Sequence, residues 1–306
     1  MAPRPGTPHA ATGPAPRPWR RIAVDEAGPA FEARPPAGPD FFDFPDTECD
    51  GWSTADLTMR YASVRGARHR YHSQPRQDSA RAAVDAASGT IVFAVADGVS
   101  RATLAHRGAL VACEVAVNRM LDGLYRDPGW ADLAGLAAQC TARLGKLTRW
   151  WLRRPQPSLG EIADLYATTL VAGIIRPAAG GPVAELCRIG DSGAWVLDRA
   201  NGRYYDLFGA ADQADVVSTS VTPLPYQPEH MERVGLQLRP SQVLLAGTDG
   251  FGLPLGDGDG RIGELFAREL GSPPPPAWLA HVLDFSRATF DDDRTLLAIW
   301  PRNSAR

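Results

Sequence analysis

Runs of apolar residues divide this chain into short strand-like and longer helix-like stretches. "LTMRYASVRG", Leu57 to Gly66, alternates enough to predict a first strand. A mostly apolar, β-branched run from Thr90 to Val95, closed by Asp97-Gly98, predicts a buried strand ending in a turn. Two alanine- and leucine-rich segments, His106 to Arg126 and Trp130 to Arg153, predict a helix pair broken by "DPG". Strand signals return in "ATTLVAGIIR", "VAELCRIG" and "GAWVLDR", whose glycine-rich connections suit antiparallel neighbours. From Phe208 to Gln237 no period is sustained, and the segment reads as a flap or surface excursion. "SQVLLAGTDGFG" is another buried strand running into an Asp-Gly turn. Helices near Ile262 to Leu270 and Ala277 to Thr289 and a last strand, "RTLLAIW", follow. This order predicts an α+β sandwich, and no internal repeat is visible.

Composition narrows the class. The chain has 306 residues, 44% hydrophobic and 22% charged, enough to bury a substantial core. A net charge of -3 gives no electrostatic reason to expect nucleic acid or a membrane as partner. Cys49, Cys113, Cys140 and Cys187 form no Cys-x-x-Cys pair and read as small buried hydrophobes. The N-terminus has arginines but no continuous apolar stretch of the kind a secretory signal needs, and nothing later is long and apolar enough to span a bilayer, so a cytoplasmic location is expected. Residues 1–52, rich in proline, alanine and glycine, are expected to form a disordered or loosely attached tail before a single domain at 53–302.

Charge placement suggests the chemistry. Three consecutive aspartates, Asp291 to Asp293, stand directly before the last strand, where their repulsion must be offset. Asp97 and Asp249 follow apolar strands, and Asp78 sits in "PRQDSA" ahead of the strand at Thr90. Each Asp-Gly alone is an ordinary turn. Several carboxylates converging at one sheet rim would need a counter-charge, and oxygen ligands without histidine or cysteine at the same turns favour Mg²⁺ or Mn²⁺.

The ordered anchors "RQDS", "VADG", "ATTL", "IGDSGAW", "GTDGF" and "DDRT" resemble the metal-dependent PPM-type, or type 2C, serine/threonine protein phosphatases, in a divergent bacterial branch, from roughly Thr54 to Pro301. The resemblance implies an αββα sandwich: two stacked antiparallel sheets flanked by helix pairs. It implies two Mg²⁺ or Mn²⁺ ions, with Asp97 as bridging ligand, the Gly98 carbonyl on one ion, Asp249 and Asp292 on the other, and Asp78 acting through water. Asp293 would support these ligands. Asp164 matches the place of a ligand for a third, weaker ion, although Leu253 replaces a further acidic ligand found there in some relatives. The implied reaction is hydrolysis of phosphoserine or phosphothreonine in protein substrates by a hydroxide bridging the two ions, with no phosphoenzyme.

The pattern departs from the family around the phosphate. Ser73 stands where an arginine before "QD" is common, which leaves Arg70, Arg76 and His69 as candidate phosphate-binding residues. Val99 replaces the histidine of "DGH", and Asp191 resembles a structural aspartate. Two other functions fit the same sequence: a pseudophosphatase acting as a binding module, and a phosphatase for a small phosphorylated metabolite.

Overall fold

The structure, a computed structural model, describes residues 20–38, 41–127, 132–133, 135–209, 222–226 and 231–302. It begins with β1 (Thr47–Ser53), β2 (Leu57–Val64), α1 (Ala67–Tyr71), β3 (Ser79–Val84) and β4 (Ile91–Ala96). A helical block follows: α2 (Ala105–Arg126), α3 (Leu136–Leu152) and α4 (Leu159–Tyr166). Strands then resume as β5 (Leu170–Arg176), β6 (Val183–Ile189), β7 (Gly193–Asp198), β8 (Arg203–Asp206), β9 (Glu232–Gln237) and β10 (Gln242–Gly247). The last elements are α5 (Asp249–Leu255), α6 (Arg261–Glu269), α7 (Pro276–Leu283) and β11 (Arg294–Pro301).

The strands form two antiparallel sheets, ordered β1-β2-β11-β10-β7-β8 and β3-β4-β5-β6-β9. Their apolar runs are nearly continuous because both faces of each central strand are covered. In β4, Ile91, Phe93 and Val95 point into the layer between the sheets, while Val92, Ala94 and Ala96 meet the helices α2, α3 and α4. In β11, Leu297 and Ile299 point between the sheets, and Leu296, Ala298 and Trp300 meet the side of α5, α6 and α7. The period-two alternation of side chains thus produces four layers, helix, sheet, sheet, helix. Each fully buried leucine, isoleucine or phenylalanine contributes roughly 1.5–3 kcal/mol to holding them together.

The expected α+β sandwich is therefore the fold observed, with differences at the edges. Residues 47–52, assigned to the tail by composition, lie in β1 (Thr47–Ser53), which pairs along its full length with β2. Its burial alternates only between exposed and half-buried, so register with β2 rather than its own hydrophobicity makes it a strand. Residues before it are also attached: Val24 is buried, and Val24 N–H donates to the Ser286 carbonyl at 2.9 Å. β3, the short α1 and β8 carry too few apolar residues to be seen in the pattern. The expected excursion from Phe208 to Gln237 ends in β9, an edge strand on β6, and its residues 210–221 and 227–230 lie outside the described set. The start of the second predicted helix, 130, 131 and 134, lies outside it as well. The helix predicted to reach Thr289 stops at Leu283. There the buried Arg294 guanidinium takes the carbonyls of Leu283 and Phe285, and Ser286 pairs with the N-terminal segment.

Candidate metal centre

The aspartates singled out at strand ends meet at one rim of the sandwich. Asp97 leaves β4, Asp249 opens α5 directly after β10, Asp292 precedes β11, and Asp78 precedes β3. Asp78 is buried, whereas Asp97, Asp249 and Asp292 are partly open to solvent. The carboxyl of Asp97 lies beside those of both Asp78 and Asp249.

Hydroxyl side chains set this geometry. Thr248 and Thr295 donate to Asp78 Oδ2 at 2.8 and 2.9 Å, and Ser63 and Thr295 share a hydrogen bond of 2.6 Å. The Asp97 carbonyl accepts from Thr168 Oγ1 and Thr169 N, each at 2.8 Å, and Asp97 N–H donates to Thr169 Oγ1 at 3.0 Å. Ser192 holds Thr169 through a hydroxyl pair at 2.6 Å. These contacts account for "ATTL", "GTDGF", "DDRT" and the serine of "IGDSGAW". The motif partners of the aspartates were visible in the sequence as recurring Ser and Thr, but their role was not.

Two glycines let the acidic segment lie flat in this frame. A Cβ at Gly66 would meet the Asp292 carbonyl carbon at 2.2 Å, and one at Gly250 would meet the Asp293 carbonyl oxygen at 1.8 Å. Neither position can carry a side chain without moving residues 291–293.

The electrostatics are those of carboxylates short of positive charge. Burial, followed by the Asp293 charge, pushes Asp78 up to about 8. Asp97 is raised well above the ordinary carboxylate range by burial and then by Asp78 and Asp249. Asp249 is raised by burial, then by Asp191 and Asp292. Asp78 Oδ1 is buried and has no hydrogen-bond donor. A set of oxygen donors with an unpartnered buried oxygen and mutually repelling charges fits a hard divalent cation.

Asp293 is different. Its carboxylate lies 2.8 Å from His69 Nδ1 and accepts the backbone N–H groups of Gly66 and Gln77 at 2.6 and 2.5 Å. Burial alone would raise it, but His69 and the two amides hold it below the usual carboxylate range. His69 in turn is raised despite its burial, by Asp293 and then Asp292. His69, Asp292 and Asp293 also place ligand atoms within 4.8 Å of one another, and His69 Nε2 has no hydrogen-bond partner.

The phosphate-binding candidates are redistributed. Arg70 is committed to Asp46 at 2.6 Å and Asp284 at 2.8 Å. Arg76 is 2% exposed and bound to Glu48, Ser63 and the Asp78 carbonyl, so it braces the site from behind. His69 is 1% exposed and faces Asp293. Arg70 and Arg76 present no free donor to the groove, whereas His69 Nε2 is buried without a hydrogen-bond partner and lies 3.9 Å from Asp292 Oδ1. The arginine at the rim is Arg68, whose guanidinium contacts Asp292 Oδ2 at 3.2 Å and Ser100 Oγ at 3.1 Å and is 39% exposed. Arg68 and Arg70 stand two apart in "ARHRY", and only the course of α1 separates their roles. Asp164 is exposed on α4, with its carbonyl accepting Thr103 N–H, and no hydrogen bond or ion pair joins it to the other aspartates among the described residues. Gly98 forms an isolated bridge with Thr168. A cavity of about 230 Å³ opens beside Asp249 and Asp292, edged by Arg68 and the exposed Leu253.

The match to known proteins agrees with this architecture. Residues 65–284 match the family described as protein phosphatase 2C, and the chain belongs to that family. Among solved structures, it is similar to a bacterial serine phosphatase, at 12% identity and a TM-score of 0.54, over 81% of this chain and 98% of that one. The catalytic domain of the serine/threonine phosphatase PstP, in complex with two manganese ions, is similar at 19% identity and a TM-score of 0.52, over 81% and 99% of the two chains. RsbX in complex with magnesium is similar at 12% identity and a TM-score of 0.52, over 83% and 100%. No curated protein matches the sequence.

Proposed function

We propose that this protein is a metal-dependent phosphatase that hydrolyses phosphoserine or phosphothreonine in protein substrates. The observation that carries the reading is the convergence of Asp78, Asp97, Asp249 and Asp292 at one rim, where the carboxyls of Asp78, Asp97 and Asp249 are raised and Asp78 Oδ1 is a buried, unpartnered oxygen. A module kept only for binding would have no need of four carboxylates held against their own repulsion. Asp97, Asp249, Asp292 and the Gly98 carbonyl would hold two Mg²⁺ or Mn²⁺ ions, with Asp78 behind them. When bound, the ions supply the positive charge that acidifies water for attack on phosphorus and offsets charge on the phosphoryl oxygens.

The chain's own residues position the substrate. Arg68 would turn its planar fork to the phosphoryl oxygens, exchanging part of its contact with Asp292 for the phosphate. Thr248 and Thr295 fix the Asp78 carboxylate and Thr168 and Thr169 fix the Asp97 backbone, so that little reorganisation is needed when charge develops. A third ion at Asp164 finds no partner carboxylate in the contacts described above. A cytoplasmic location is part of the proposal, supported by four free thiols, three of them buried.

The test is hydrolysis of p-nitrophenyl phosphate and of a phosphoserine peptide with Mn²⁺, with Mg²⁺ and with excess chelator. Turnover of both that requires the divalent ion is the expected result. Full activity in chelator would overturn the metal assignment, and turnover of the small ester without the peptide would favour a metabolite phosphatase.

A further inference from the structure

Beside the aspartate groove lies a second, larger cavity of about 410 Å³, and one of its walls comes from the N-terminal segment. That segment is held as a strap. Ser286 N–H donates to the Ile22 carbonyl at 2.7 Å, Gly28 N–H donates to Ser286 Oγ at 3.1 Å, and Arg34 N–H donates to the Arg70 carbonyl at 3.0 Å. Asp25 pairs with Arg261 and Arg287, and Arg21 pairs with Asp284. Between these attachments the strap presents Pro29, Ala30 and Phe31 to the cavity, opposite Tyr71 of α1 and Phe290.

Three features define what would fit. Phe31 and Tyr71 remain 36% and 47% exposed although their rings meet edge to face at 5.6 Å, so aromatic surface lines the mouth. Arg21 and Arg287, which also border the cavity, already have carboxylate partners, which leaves the interior without a strong preference for an anion. Finally, the cavity shares Arg68, Thr289, Phe290 and Asp291 with the groove beside Asp249 and Asp292. A ligand can therefore place a phosphoryl group on one side of Arg68 and an apolar group on the other.

We infer that the strap-walled cavity is a substrate subsite that accepts a large apolar or aromatic side chain flanking the phosphorylated residue. This deepens the phosphatase reading and rests on it. Specificity then resides partly in residues that composition alone assigns to a disordered or loosely attached tail. The strap acts by shape and apolar contact and takes no part in the reaction at phosphorus.

The experiment compares p-nitrophenyl phosphate, which is too small to span both cavities, with phosphoserine peptides carrying Phe, Ala or Asp at one to three residues on either side. In Mn²⁺ the parent chain should turn over the best Phe peptide with a kcat/KM roughly tenfold above its Ala counterpart, as expected for filling an apolar pocket. Ala30→Trp, which fills the cavity from an exposed position, should abolish that preference while leaving p-nitrophenyl phosphate turnover at the parent level. Phe31→Ala should weaken the preference. Equal kcat/KM for Phe and Ala peptides, or a preference that survives Ala30→Trp, would overturn the subsite and leave the phosphatase reading intact. A change in small-ester turnover with Ala30→Trp would assign the cavity to a segment of the chain itself or to an effector, and would also overturn it. Absence of Mn²⁺-dependent ester turnover in the parent would overturn both readings.

Discussion

Asp292 and Asp293 are adjacent in the chain and stand in different surroundings. Asp293 is buried among donors, His69 on one side and two backbone amides on the other, and its carboxyl is held below the usual range. Asp292 is partly open to solvent, paired with Arg68, and borders Asp97 and Asp249, whose own carboxyls are raised by burial and like charge. The Asp293 carboxylate is balanced by its own donors. Asp78, Asp97 and Asp249 crowd together without matching positive charge, so burial alone does not set the state of a carboxyl; the donors and charges around it do.

The largest expected effect breaks the self-sufficient site. Asp293→Ala removes the partner of a buried histidine and strands two backbone amides, and should cost about 3–5 kcal/mol of stability, read as a lowered denaturant midpoint. A loss below 1 kcal/mol would mean that His69 and the amides have other partners.

Asp97→Asn should do the reverse. Activity should fall by about a hundredfold or more, as for loss of a metal-holding group, while the chelated protein melts no lower than the parent because a repelling charge is gone. An apo melting temperature lowered as far as by Asp293→Ala would erase the contrast between the two sites.

At the mouth of the rim, Arg68→Lys keeps the charge and loses the fork. KM for a phosphopeptide should rise by roughly tenfold with a smaller change in kcat, because the fork binds phosphate in the ground state as well. The same change at Arg70, which is bound to Asp46 and Asp284, should leave KM unchanged and lower stability instead. Steady-state kinetics beside a melting curve separates the two arginines.

A smaller effect is expected in pH dependence. Asp78 has a folded pKa of about 8, above its unfolded value, so the folded chain binds more protons than the unfolded chain between about pH 4 and 8. Stability of the chelated protein should therefore fall as pH rises through that window. The raised His69 contributes in the same direction, being lost as pH passes its folded pKa. Asp293, lowered in the fold, acts oppositely and only in acid, where its contribution disappears as pH falls through its folded pKa. Saturating Mn²⁺ should flatten the slope between pH 4 and 8, and a slope unchanged by the ion would place the titrating groups elsewhere.

The smallest expected effect is from alkylation. Burial pushes Cys140 and Cys187 up to about 12 and raises Cys113, so thiol reagents should leave turnover unaffected in the folded protein. Loss of activity without unfolding would put a thiol in the mechanism.

How much of this was legible depends on the range of each interaction. The apolar runs of β4, β10 and β11 and the long α2 and α3 could be read from local periodicity, because covered central strands must be apolar on both faces. The rim aspartates were legible for a related reason: charge directly after such a run must lie at a sheet edge, and the ordered motifs resembled one family. β1 was not legible, since "TECDGWS" is a strand only through pairing with β2. Nor was the attachment of residues 21–37, which depends on Ser286, Arg70 and Tyr71 far along the chain or across the fold.

By itself, then, the sequence determined the layered fold, through side-chain alternation, and the acidic rim, through the placement of Asp97, Asp249 and Asp292. Only the tertiary structure decided which charges were free to act. Arg68, Arg70 and Arg76 have the same chemistry on paper, and they differ because Asp46, Asp284 and Glu48 reach two of them and leave the third at the groove. Such assignments cannot be read from local pattern, because the energy of a charge is set by neighbours up to more than two hundred residues distant in sequence, as Arg70 is from Asp284, and by how much water the fold leaves between them.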